Sequence, residues 1–512
     1  MNRKEVFIII ICLFVGFAAR FYSFDHKSLW MDEIHTYNDS RDGIADQLKF
    51  YRGNPTYLHP PIFFILTHLN YPFTHPERDL RVVPLIFGTL SILMIFFLTR
   101  EFSRGIALPC TLALALMAYH ISLSQDGRSY SLVMFLGMTA IYFFMKHRGA
   151  GKKRYLFLTA LSFALLFHTS YSSVPFLIFS QILWFYRVEG QTRPFDLKSV
   201  GFLNGLTGLL CLPWILFIVF NFKQQLLMDP FHTESPGTFF QILYGILHDW
   251  VPHAPLMIAS TVLLAAFPFF AKQRRNAIIL LLVFLLPVAA LYLFCELSAA
   301  THFISSRYFV NFLPLFLITL FLSLETIQNR FGNLRKYVRL NAIFLILFVV
   351  SNLAILSFYY RAEKQDLRGL VTYLKGQIQE GDKIFVETAG YIPGILHYFG
   401  AHPKGRHHTV PSQLESEKTI AVNKSFLYQG KTFTIYHSKS CCGQYVQDGS
   451  RLWIVVGKWS APKLRKNSPG VLKGFFDGSF LNFAKFPTDA SIYLFLWDPK
   501  SPDEKGIDMP TE

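Results

Sequence analysis

About eleven separate apolar runs, each near the twenty residues a helix needs to cross a hydrocarbon core, dominate this chain. They fall near 5–24, 82–99, 106–123, 129–145, 155–171, 173–186, 200–220, 255–271, 277–295, 308–324 and 341–359. Those at 129–145 and 173–186 are the shortest of the set. Composition agrees: 52% of the 512 residues are hydrophobic and only 16% are charged, below the share of a soluble chain. The expected fold is mainly α, a multi-spanning transmembrane helix bundle.

The net charge of +16 raises the question of nucleic acid, and the placement of the charges answers it. Lysine and arginine gather at alternate gaps between the runs. The clusters are Arg3 and Lys4; Arg100 and Arg104; Lys146 to Arg154; Arg187, Arg193 and Lys198; Lys272, Arg274 and Arg275; and Arg330, Arg335, Lys336 and Arg339. That alternation is the positive-inside bias, which orients the bundle with its N-terminus in the cytoplasm. After an odd number of spans the C-terminal part lies outside. The basic balance is therefore a topology signal with some attraction to anionic head groups, and no nucleic-acid partner is expected.

The first run reads as an uncleaved anchor, because Phe21, Tyr22 and Phe24 follow it where a signal peptide would place small polar residues. Cys12, Cys110, Cys211 and Cys295 sit inside apolar runs as small core residues. Cys441 and Cys442 are adjacent in the outer part, and a vicinal disulfide and two free thiols both remain open.

The chain divides near residue 360, giving a membrane domain over 1–360 and a small extracytoplasmic α/β domain over 361–512 with a disordered tail from about 500. Leu367, Leu370, Val371, Leu374 and Ile378 predict an amphipathic helix over Asp366 to Gln379, and strands are expected at Lys383–Glu387, Leu452–Val456 and Ile492–Trp497. The first outer loop, about 25–81, is the longest inter-span segment. Ile44, Leu48 and Tyr51 recur there at helical spacing, and the stretch from Leu58 to Leu69 is apolar but too short to span, so both suit helices at the membrane interface.

The chemistry-bearing residues all fall on that outer side. Asp32 and Glu33 follow the first run directly, in Trp30-Met31-Asp32-Glu33, and ionisable groups at such a depth are functional candidates. His59 precedes a double proline; Asp126, Arg128 and Tyr130 lie between the third and fourth runs; Arg307 and Tyr308 open the tenth. Arg128 and Arg307 stand on the face where the charge bias depletes basic residues. Carboxylates opposite arginines suit one reaction class. Arginine forks hold a lipid-linked phosphate and stabilise it as it departs, and a carboxylate takes the proton of an attacking hydroxyl.

The motifs together resemble the GT-C class of polyprenyl-phosphate-sugar-dependent membrane glycosyltransferases, nearest the bacterial enzymes akin to protein O-mannosyltransferases and aminoarabinose transferases. The resemblance rests on Trp30-x-Asp32-Glu33, His59-Pro60-Pro61, Arg81-x-x-Pro84, Ser124-Gln125-Asp126-x-Arg128-x-Tyr130 and Arg307-Tyr308 with Pro314, and covers about 1–325. It implies a general base at Asp32 with Glu33 beside it, and a donor phosphate held by Arg128 and Arg307 with His59, Tyr130 and Tyr308 in support. The family commonly has glutamate where this chain has Asp126, which leaves that residue as a second acid or as an orienting partner for Arg128. The implied donor is a polyprenyl-phosphate sugar, undecaprenyl phosphate in a bacterial inner membrane, and the implied outcome is inversion by single displacement. The acceptor is a lipid, a glycan or a protein.

Other polar residues carry weaker cases. His168 with Tyr171 reads as a helix-end pair, and His248-Asp249 beside an interface-anchoring Trp250 as a dyad second to that anchoring. His402, His407, His408 and His437 fit no standard ligand spacing, so no metal site or cofactor is expected, with a divalent cation left open. The rival function is a lipid-linked sugar flippase or other transporter. That reading calls for charged or broken helices at the midplane in paired repeats, which the runs lack.

Overall fold

The computed structural model describes residues 3–53, 59–187, 195–221, 237–298, 304–331, 339–400, 424–437, 449–458, 460–467, 470–479, 490–501 and 505–509. His402, His407, His408, Cys441 and Cys442 lie outside them.

Every apolar run folds as helix. Along the chain these are α1 (Arg3–Phe21), α6 (Val82–Arg100), α7 (Ala107–Ala115), α8 (Ala118–Ser124), α9 (Tyr130–Ala150), α10 (Lys153–Phe167) and α11 (Val174–Phe179). The set continues with α12 (Leu197–Asn221), α13 (Phe239–Trp250), α14 (Ala254–Phe270), α15 (Arg274–Ser298), α16 (Leu313–Arg330) and α17 (Leu340–Arg361). Between α1 and α6 the first loop folds as α2 (Met31–Ser40), α3 (Ile44–Gly53), α4 (Ile62–His68) and α5 (Pro76–Asp79). Among the described residues five helical stretches are long and apolar enough to cross a membrane, or seven when two bent pairs count as one span each. The remaining runs of the expected eleven are helical too. However, α1 carries Arg3, Lys4, Glu5 and Arg20, α9 ends in Lys146 and Arg148, and α10 has 15 residues.

The bent pairs shape the bundle. Helices α7 and α8 meet at 58°. A break inside an apolar bundle orphans carbonyls that lipid cannot satisfy. Arg20, fully buried, reaches them, donating to Ala115 O at 2.8 Å and Leu114 O at 3.1 Å, while Asn352 Oδ1 accepts the Ala118 N–H at 2.9 Å. The side-chain amide of Gln125 then donates to Arg20 O at 2.7 Å and Tyr22 O at 2.8 Å, tying the turn after α8 to the end of α1. Helices α13 and α14 meet at 111° around Val251-Pro252-His253, where proline ends the first helix.

The C-terminal part is a six-stranded mixed sheet in the order β2-β3-β1-β4-β6-β5. Its strands are β1 (Lys383–Val386), β2 (Lys424–Tyr428), β3 (Lys431–Tyr436), β4 (Leu452–Gly457), β5 (Val471–Phe476) and β6 (Ile492–Trp497). Strand β1 runs parallel to β3 and β4, and the other pairs are antiparallel. The β2–β3 hairpin turns at Gln429 and Gly430, both at positive φ, the twist-matched turn in which glycine carries no steric cost. Strands β4 and β6 are apolar on both faces because helices cover both. One face packs α18 (Leu367–Gln377) and α19 (Ile392–Phe399); the other packs α20 (Ala461–Asn467).

This sheet domain sits on the first loop. Gly394 of α19 lies against Ile34 of α2, and the Gly390 backbone against Met31, where a Cβ would collide with the sulfur. The Tyr398 hydroxyl accepts the Leu29 N–H at 2.7 Å and donates to Glu77 at 2.9 Å. The linker after α17 is pinned as closely: Lys27 donates to Tyr359 O at 2.7 Å and also to Ala362 O, and Gln365 accepts the Met31 N–H at 2.9 Å.

Candidate active site

Asp32 and Glu33 occupy the first turn of α2, where the helix dipole favours negative charge. They have different surroundings. Glu33 is fully buried and bonded on both oxygens: Arg81 Nε and Nη2 each lie 2.7 Å from one of them, and the Gly127 N–H donates to Oε1 at 2.7 Å. A Cβ at position 127 would stand 3.2 Å from that oxygen, a tight contact that would push the neighbours back by a few tenths of an ångström. The remaining Arg81 donors go to the carbonyls of Phe24, Lys27 and Ser28. Burial opposes the Glu33 charge, and Arg81, Lys364 and the Gly127 N–H outweigh it, holding the carboxyl below its usual range.

Asp32 keeps 21% of its side chain exposed, and its Oδ2 lies 3.3 Å from Arg307 Nη1. Arg128 Nη1 reaches the same residue from the other side, donating to Asp32 O at 3.1 Å and Thr36 Oγ1 at 3.3 Å. Desolvation works against the carboxylate, but Arg128 and Arg307 win with help from His35 and His59, so Asp32 is held ionised below the ordinary aspartate range. The Arg307 guanidinium stands 5.5 Å from the Trp30 ring centroid and 5.8 Å from that of Tyr308, within cation–π range of both.

Asp126 belongs to the same layer without touching Arg307. Its Oδ1 accepts from Trp30 Nε1 at 3.0 Å and lies 3.6 Å from Lys364 Nζ. Burial raises its pKa, and the neighbouring Glu33 charge adds to that against the pull of Lys364, Trp30 and Arg128.

A cavity of about 480 Å³ opens beside Arg128. His59, Arg128, Tyr130 and Tyr308 line it, together with apolar side chains that include Phe63, Phe64, Leu291 and Phe309 and with the turn from Thr169 to Ser172. Asp32, Arg128 and Arg307 thus converge directly, Asp126 joins them through Trp30, and His59, Tyr130 and Tyr308 meet Arg128 at the cavity.

Of the other sequence candidates, Tyr171 lines the cavity and the rest land elsewhere. His168 Nε2 contacts Leu210 O at 3.2 Å and Tyr171 OH accepts from Trp214 at 2.8 Å. Asp249 is buried against Ser306, whose hydroxyl is 2.8 Å from Tyr119 OH, and His437 contacts Val386 O at 2.8 Å. Among the described residues no three His, Cys, Asp or Glu side chains form a set able to hold a metal ion. Arg81, Trp30 and Lys364 complete the layer. The first two stand inside the motifs quoted above, whereas Lys364, in the linker, carries no local signal.

The comparisons with known proteins agree on the fold of this chain. Residues 58–217 match the family described as dolichyl-phosphate-mannose-protein mannosyltransferase. The chain superposes on ArnT from Cupriavidus metallidurans in its apo state with a TM-score of 0.55 at 11% identity, covering 96% of this chain and 97% of that one. The undecaprenyl-phosphate-bound form of that protein gives 0.54 at 12%, covering 96% and 98%. The Archaeoglobus fulgidus oligosaccharyltransferase, tethered to an acceptor peptide, gives 0.51 at 12%, covering 96% of this chain and 74% of that one. No curated protein sequence matches the chain.

Proposed function

We propose that this chain is an integral membrane glycosyltransferase that moves a sugar from a polyprenyl phosphate to a hydroxyl acceptor at the extracytoplasmic face of a bacterial inner membrane. The observation that carries the reading is the Asp32–Arg307 contact of 3.3 Å, with Arg128 donating to the Asp32 backbone carbonyl and itself lining a cavity. In this scheme Arg128 and Arg307 hold the donor phosphate, supported by His59, Tyr130 and Tyr308. The acceptor oxygen attacks the anomeric carbon, the bond to the phosphate oxygen breaks, and its electron pair leaves on the polyprenyl phosphate between the two guanidinium groups. Asp32 takes the acceptor proton. Its low basicity suits a late transfer, after bond formation has acidified the hydroxyl. Glu33 and Asp126 position the layer, through Arg81 and Trp30. A single in-line displacement inverts the sugar.

The ArnT and mannosyltransferase likenesses support a polyprenyl-phosphate donor, and the pattern of basic clusters supports an eleven-span topology with residues 361–512 outside. The test supplies purified protein in liposomes with undecaprenyl-phosphate sugars and follows release of free undecaprenyl phosphate together with a new glycoside. Arg307→Ala is expected to lower both about 100- to 1,000-fold. Movement of labelled lipid across the bilayer with no glycoside formed would identify the flippase instead.

A further inference from the structure

One part of the cavity wall plays no role in the scheme above, yet it is chemically distinctive. After α10 the chain makes a turn at Thr169–Ser172 that faces the cavity with hydroxyl groups between apolar helices. Ser170 Oγ and Ser172 Oγ lie 2.8 Å apart, so one hydrogen serves both and the pair keeps a further donor and lone pairs for another partner. Thr169 and Ser173 lock the turn by donating to Leu165 O at 2.7 Å and Ser170 O at 2.6 Å. Tyr171 is fixed by Trp214. The turn is tied down and polar, and it lines the same cavity as Arg128, alongside side chains that are largely apolar or aromatic.

A prenyl chain gains nothing from such a wall, whereas a sugar ring presents hydroxyls that need it. Among the described residues lining the cavity none is acidic, and Asp32, the acid of the scheme, is already paired with Arg307, so a protonated amino sugar would find no uncommitted counter-charge there. The volume of about 480 Å³ lies within the range of small-molecule sites and below what a long polyprenyl tail fills.

We propose that the Ser170–Ser172 turn is the sugar-recognition subsite, selecting an uncharged monosaccharide over an amino sugar on the phosphate held by Arg128 and Arg307. This rests on the proposed function. Sites built to bond a hydroxyl discriminate against ligands that lack it, because their own polar groups are then left unpaired.

The test measures binding of three probes to the full-length protein in detergent: undecaprenyl phosphate, undecaprenyl phosphate bearing a neutral hexose, and the same lipid bearing an amino-deoxy pentose. The neutral donor is expected to bind about tenfold tighter than the other two. In a Ser170→Ala/Ser172→Ala double variant that preference disappears, while sugar-free undecaprenyl phosphate binds within twofold of the parent, which also shows that the variant is folded. Ser162→Ala, a buried hydroxyl of α10 that donates to Leu158 O and stands off the cavity, keeps the preference. Tighter binding of the amino sugar, retention of the preference in the double variant, or an equal loss for the sugar-free lipid would each overturn the subsite. If the parent binds none of the lipids, or Arg307→Ala leaves sugar-free binding intact, the functional reading itself fails.

Discussion

Glu33 and Arg81 meet 48 residues apart in a two-point ion pair, each contact 2.7 Å, with side chains 0% and 1% exposed. The neighbouring carboxylate, Asp32, keeps 21% of its side chain exposed and is paired with Arg307 instead. Two consecutive acids in one helical turn point about 100° apart, which is enough to put one into the protein and the other toward the site. The pair at Glu33 holds the loop in register, and the loop in turn holds Asp32.

That division separates stability from turnover. Replacing one partner of a buried, fully bonded pair leaves the other charge unpaired, at a cost of about 3–5 kcal/mol. Glu33→Gln is expected to lower the thermal unfolding temperature in detergent by several degrees, and Asp32→Asn to leave it close to the parent. A stable Glu33→Gln protein beside an unfolded Asp32→Asn protein would reverse the roles given to these residues.

The pH dependence follows from the direction of the shifts. Asp32 and Glu33 are both held below their ordinary pKa in the folded chain. Their contribution to stability is present above the unfolded carboxylate pKa and lost as pH falls through the folded values. Folded fraction is expected to stay level from about pH 8 to 5 and to fall only below about pH 4. The acid limb of kcat/KM should also lie below about pH 4, where Asp32 protonates. A limb near pH 6 to 7 that vanishes in Asp32→Asn would contradict the held-ionised state.

Arg307 is expected to resist conservative change. Its Nη1 meets Asp32 while its guanidinium lies within cation–π range of Trp30 and Tyr308, and lysine offers a point charge without the planar, multi-donor group. Arg307→Ala is expected to lower kcat/KM about 100- to 1,000-fold, and Arg307→Lys to recover less than about tenfold of it. Steady-state kinetics with saturating acceptor reads both; full activity in the lysine variant would mean that charge alone suffices.

Much of this arrangement is legible in the residue string. The apolar runs fix the helices, the amphipathic stretch after Asp366 is α18, and the strands at 383, 452 and 492 appear as β1, β4 and β6. The candidate residues stand in short motifs at helix ends, so their grouping follows once the helices are stood side by side. Strands β2, β3 and β5 were harder to see because their apolar residues are few and interrupted by Lys and Gly. Glu33's removal from the site was invisible, since it depends on Arg81 and on the glycine at 127. Lys364 owes its place near Asp126 to the fold of the linker, and the bend between α7 and α8 to Arg20, both long-range effects.

Arg20 offers a structural test away from the chemistry. Arg20→Met removes the donors to Leu114 O and Ala115 O and leaves buried carbonyls unsatisfied, at about 1–3 kcal/mol each. The expected result is a lower unfolding temperature in detergent, with residual activity falling alongside the folded fraction. A variant as stable as the parent would show that the bend does not need this side chain.

The most direct measurement is the split between donor binding and turnover in purified Asp32→Asn. The account predicts that undecaprenyl-phosphate sugar binds within a few-fold of the parent affinity while single-turnover transfer falls at least about a hundredfold, the loss expected of a removed base. Transfer at the parental rate with donor bound would contradict it.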